Sequence, residues 1–79
     1  MARRNYETYM QDAIYEFIED YKRANDGNSP TYEEIGIGVK CNRSNAYRYV
    51  QIMASKKRLD ILSSGRINLR GEYIPPESS

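Results

Sequence analysis

The 79 residues contain no histidine, no tryptophan, one phenylalanine and one cysteine. Without histidine, and with Cys41 alone, disulfides, structural zinc and the usual general base are excluded together. No apolar run is long enough to cross a bilayer and no signal-peptide core follows Met1, so no membrane partner is expected and the cytoplasm is the default compartment. There is no nucleophile and base pair, no metal cluster and no phosphate-cradling glycine loop, so an enzyme, a cofactor or a small-molecule ligand is not expected. This length allows one domain with one small core, read as residues 1–74 with a loose polar tail at 75–79. Cys41 reads as a small core residue at a turn, with a redox-sensing thiol as the second reading.

What is present is apolar periodicity interrupted by turn signals. Asn5 caps a long helix extending to about Ala24, in which Tyr6, Met10, Ala13, Ile14, Phe17, Ile18 and Tyr21 recur at threes and fours. Glu7, Asp12, Glu16, Glu19 and Asp20 line its outer faces. The run Asn25, Asp26, Gly27, Asn28, Ser29, Pro30 is a turn cluster. A bridging strand around 29–31 is not visible in the sequence. Thr31, with Glu34 three residues on, makes a capping box, so a short helix should start at Tyr32 and present Ile35 and Val39 as its apolar ridge.

Asn42 caps a third helix with Ala46, Val50 and Met53 facing inward at i, i+4 and i+7. Arg43, Ser44, Asn45, Tyr47, Arg48 and Gln51 then fall mostly outside, and Tyr49 lies between the faces. Lys56, Lys57 and Arg58 finish this helix, where cations suit the negative end of the helix dipole and are also placed for phosphate. Two alternating runs follow, 59–62 and 66–70, around Ser63, Ser64 and Gly65. They read as a hairpin whose apolar side must lie on the helices, since two strands are not stable unaided.

The net charge of +1 hides an asymmetry. Residues 1–39 carry four basic against eight acidic side chains, a balance of −4, and residues 40–79 carry eight against three, a balance of +5. From Lys40 to Arg58 there is no acid. A one-signed stretch over the third helix is the electrostatic footprint of a nucleic-acid face, although any solvated helix face also carries polar side chains. Arg3 and Arg4 read as a frayed basic terminus, with phosphate contact as the second reading.

The segment Pro-Thr-Tyr-Glu-Glu-Ile at 30–35, then Ser44, Asn45 and Ala46, then an apolar ridge ending in lysines, resembles the winged helix-turn-helix DNA-binding domain of the LexA repressor family. Pro30, Thr31, Glu34, Ile35, Asn45 and Ala46 match the family pattern, and the resemblance runs from about residue 13 to 69. Gly36 departs from a helix-packing alanine, and Lys40 stands where a glycine usually makes the turn. The resemblance implies an α+β, mainly α fold: three helices followed by a two-stranded β-hairpin wing. It also implies a sequence-specific double-stranded DNA-binding protein, read as a small bacterial or mobile-element transcriptional regulator.

In that reading Ser44, Asn45, Tyr47, Arg48 and Gln51 meet base edges. Arg43, Lys56, Lys57, Ser64 and Arg66 hold the backbone, and a homodimer on a two-fold site is a further possible partner arrangement. The family's self-cleaving peptidase domain has no counterpart in these residues, so self-cleavage is not expected. The alternatives are a winged helix used for protein contact, as an antirepressor or assembly subunit, and DNA binding of the excisionase or partition type. The many tyrosines favour the protein-contact alternative.

Overall fold

The computed structural model describes residues 6–69. The expected cap at Asn5, the basic Arg3 and Arg4, the strand end at Arg70, the contacts of Tyr73 and Ile74, and the 75–79 tail lie outside the described residues. Five elements follow in chain order: α1 (Tyr6–Ala24), α2 (Tyr32–Val39), α3 (Arg43–Ser55), β1 (Leu59–Ile61) and β2 (Ile67–Leu69). Three helices and an antiparallel hairpin, mainly helical, are the expected architecture. No helix among the described residues is long and apolar enough to cross a membrane.

On α1 the apolar period buries Met10, Ile14 and Ile18, with Phe17 and Tyr15 packed at the margin. Tyr6 departs from the expected stripe: it is 69% exposed. It stands in the first turn of α1, and the buried residues of that helix begin only at Met10. Asp12 is not a plain solvated acid either. Its carboxylate pairs with Arg58 at 3.1 Å, and the same guanidinium lies 5.3 Å from the centroid of the Tyr15 ring. Arg58 is therefore committed to α1 rather than to the end of α3.

The start of α2 is the expected capping box: Glu34 N–H donates to Thr31 Oγ1 at 3.1 Å, and Thr31 N–H donates to Glu34 Oε1 at 2.8 Å. The Thr31 backbone bond is the main cause that holds the Glu34 pKa below the ordinary carboxylate value; burial opposes it, and the Tyr21 and Thr31 hydroxyls add smaller lowering effects. A depressed folded-state pKa contributes stability that is present above the unfolded pKa and is lost as pH falls through the folded one. Urea unfolding between pH 6 and pH 3 should show stability dropping below about pH 4.3. Glu34→Gln should flatten that drop, and an unchanged acid limb would remove Glu34 from the account.

Lys40 solves the corner without glycine. It adopts a left-handed conformation (φ 61°), while Cys41 N–H closes on Gly36 O at 2.8 Å and Lys40 N–H on Ile37 O at 3.4 Å. That is the double closure of a helix C-terminus, in which glycine is the usual left-handed residue. The end of α3 repeats it with Lys57 (φ 61°), Arg58 N–H donating to Met53 O at 2.9 Å and Lys57 N–H to Ala54 O at 3.0 Å. Cys41 is half-buried against the core, and burial pushes its thiol pKa up, which lowers its thiolate fraction and its reactivity.

The hairpin pairs Leu59 with Leu69, Asp60 with Asn68 and Ile61 with Ile67. The turn closes through Gly65 N–H to Leu62 O at 2.8 Å, with Gly65 at φ 91°. Leu59, Ile67 and Leu69 join the helices in one core with Ile35, Ala46, Tyr49, Val50 and Met53. Strict alternation would put Asn68 outside, yet it is buried at 1%. Both edges of its strand are covered, one by β1 and the other by the connection from α1 to α2.

That connection takes the place of the third strand left open by the sequence. Ile67 N–H donates to Ser29 Oγ at 2.9 Å, and Lys22 Nζ donates to Ile67 O at 2.7 Å. Arg66 Nη2 donates to Gly27 O at 3.0 Å. The outer edge of β2 is thus closed by side chains and a loop carbonyl rather than by another strand. Lys22, in the last turn of α1, is buried to do this.

Candidate nucleic-acid interface

Helical geometry decides which side chains α3 offers to a partner. Ala46, Tyr49, Val50 and Met53 are buried, which settles Tyr49 as core. Ser44, Arg48, Gln51 and Ser55 recur at four, three and four, so they share the strip opposite that core. All four are exposed, as are Arg43, Asn45 and Tyr47. Asn45 stands about a quarter turn to one side of the strip and Tyr47 to the other. Ser55 belongs to the strip but was absent from the sequence-derived set; the spacing from Gln51 was its available signal. Its hydroxyl donates to Ile52 O at 2.7 Å.

The strip begins at a well-made helix start. Asn42 Oδ1 accepts from Asn45 N–H at 2.7 Å, and no acid stands in the first turn of α3. Arg48 remains exposed while its guanidinium lies 5.1 Å from the centroid of the Tyr49 ring. Tyr47, 51% exposed, packs its ring against Tyr32 of α2 in an edge-on pair with centroids 5.1 Å apart. Burial first, and the Tyr47 phenol second, push the Tyr32 hydroxyl above its ordinary pKa, with the Gln51 amide working the other way. Tyr32 therefore stays neutral at ordinary pH and ties Tyr47 and Gln51 to α2, a role the sequence reading did not give it.

The expected backbone contacts divide into two groups. Arg43, Ser64 and Arg66 line one open groove of ≈ 660 Å³ that runs between the start of α3, the hairpin tip and the connection into α2. Arg66 is not the free tip side chain expected: it is half-buried, bonded to Gly27, and its Nε is a buried donor with no partner among the described residues. The physical reason is the short hairpin, which brings the residue after the turn directly over the α1–α2 connection. Glu33 also lines the groove, so its lip is not purely positive. Lys56 and Lys57 are exposed at the other end of α3, about 20 Å away for a 13-residue helix.

No family model, curated protein or solved structure matches this chain.

Proposed function

We propose that this chain binds double-stranded DNA, with the outward strip of α3 in a major groove and the hairpin beside it as a wing on the backbone. The observation that carries the reading is the exposure of Ser44, Tyr47, Arg48 and Gln51 on one helix whose flanking sequence from Lys40 to Arg58 has no acid. A helix of this width fits a major groove, and Arg, Ser and Gln offer the donors and acceptors that distinguish base edges. Arg43 at one end and Lys56 and Lys57 at the other are spaced to meet phosphates on both sides of such a groove. The likeness of 30–46 to the LexA repressor family supports the same reading and adds the role of a small transcriptional regulator. One module offers limited area, so a dimer on a two-fold site fits specific binding best.

A titration of labelled duplex against the full chain tests this. Arg48→Ala should relax preference at one base pair by about 1 to 3 kcal/mol, while Lys56→Ala should weaken all sequences alike and reduce the salt slope by about one unit. Absence of any salt-dependent retention on duplex DNA at low ionic strength would end the proposal. A second reading, a winged helix that binds protein, is favoured by one observation on another part of the surface. Ile37 is 75% exposed and Tyr9 57% exposed. The same titration separates the two, because protein contact through those residues predicts no dependence on Arg48 or Lys56.

A further inference from the structure

Between α2 and the first turns of α3 lies a hollow of ≈ 410 Å³ lined by Tyr32, Arg43, Ser44 and Tyr47. Its aromatic wall is held in place: the half-buried Tyr32 meets Tyr47 at a ring angle of 70°, which restricts an otherwise exposed ring. Arg43 is the only charged residue of the four. A fixed apolar surface on a helix that otherwise offers polar side chains needs an apolar group to cover it. On the major-groove edge of duplex DNA only thymine has one, the 5-methyl, and it sits beside the O4 acceptor.

Resting on the DNA-binding reading above, we infer that this hollow reads thymine. The methyl packs against the Tyr47 ring where Tyr32 buttresses it, the Ser44 hydroxyl donates to O4, and Arg43 reaches the phosphate of the same strand. Tyr47 is then a specificity-determining residue and Tyr32 a positioning residue that acts through it. Both rings serve by shape, so the hydroxyl of Tyr32 is dispensable for this step.

Deoxyuridine differs from thymidine by that methyl alone, and this gives the test. Duplexes bound by the full chain are selected from a random pool, and each invariant thymine is replaced singly by deoxyuridine. Binding at one position in each site should weaken about fourfold, the worth of one buried methyl. Tyr47→Ala should bind both duplexes equally, and Tyr32→Phe, which keeps both rings, should retain the discrimination. The inference is overturned if the selected sites hold no invariant thymine, if every deoxyuridine duplex binds as well as its parent, or if discrimination survives in Tyr47→Ala. Insensitivity to the methyl with salt-dependent binding intact sinks this inference alone, whereas no binding to any duplex sinks the DNA-binding reading with it.

Discussion

Lys22→Met is expected to lower the stability of the fold by about 2 kcal/mol, within the range for a hydrogen bond to a charged donor. The substitution keeps most of the stem that lies in the core and removes the ammonium that donates to Ile67 O at 2.7 Å. What remains is a carbonyl at the outer edge of β2 that has lost a buried donor, and an unmade bond of that kind costs more than a made one contributes. Because 79 residues imply a total stability of only about 4 to 12 kcal/mol, the change should be plain in thermal unfolding as a fall of roughly 8 to 16 °C.

The loss should also be local. Lys22, Ser29 and Gly27 hold one edge of the hairpin, so hydrogen exchange at Ile67 should quicken more than at Ile14 in the middle of α1. A shift of less than about 0.5 kcal/mol, the ordinary scale for an inert surface change, would mean that Ile67 O finds another partner and that Lys22 is not what secures the strand.

This contact also shows where the sequence stops being legible. The helices could be read because their signals are local: Thr31 and Glu34 are three residues apart, as are Asn42 and the Asn45 amide it accepts from. The outward set on α3 could be read for the same reason, since burial of Ala46, Val50 and Met53 fixes where Ser44, Arg48 and Gln51 must point. The side chains that fasten the hairpin have no such period. Lys22 reaches Ile67 across 45 positions, Arg66 reaches Gly27 across 39, and Ser29 meets Ile67 across 38.

A lysine in the last turn of a helix already has a sufficient local explanation in the helix dipole, so nothing in the sequence asks for it to be buried. The bond from Arg66 to Gly27 is hidden for the same reason, because polar residues at a hairpin tip look free until the surface beneath the tip is known. In the sequence Tyr32 is only the first residue of a helix, and it is the packing of α2 on α3 that brings its ring against Tyr47.

Gly36→Ala is expected to destabilise the protein by about 2 kcal/mol, although alanine is the better helix former by about 1 kcal/mol. A Cβ at this position would lie 2.7 Å from Cys41 O, 3.3 Å from Asn42 C and 3.4 Å from Arg43 N. All three are backbone atoms of the corner between α2 and α3, and the corner is held by the closure of Cys41 N–H onto Gly36 O. It can yield only by opening, which displaces the start of α3. Gly38→Ala is the informative contrast. Its Cβ would press into the Phe17 ring more closely than the Gly36 Cβ approaches any atom, but Phe17 is a half-buried side chain that can turn outward.

The expected order of stability is therefore wild type, then Gly38→Ala, then Gly36→Ala. Stiffness of the neighbour outweighs closeness of approach. The two variants should differ in function as well, since Arg43 and Ser44 begin the helix that Gly36→Ala pushes. On the DNA-binding reading proposed above, and at a temperature where both are fully folded, Gly36→Ala should lose discrimination at base pairs met by the first turn of α3, and Gly38→Ala should keep it. A Gly36→Ala protein more stable than wild type would show that the corner moves freely, and the position of α3 would then have to be fixed by the core and the hairpin alone.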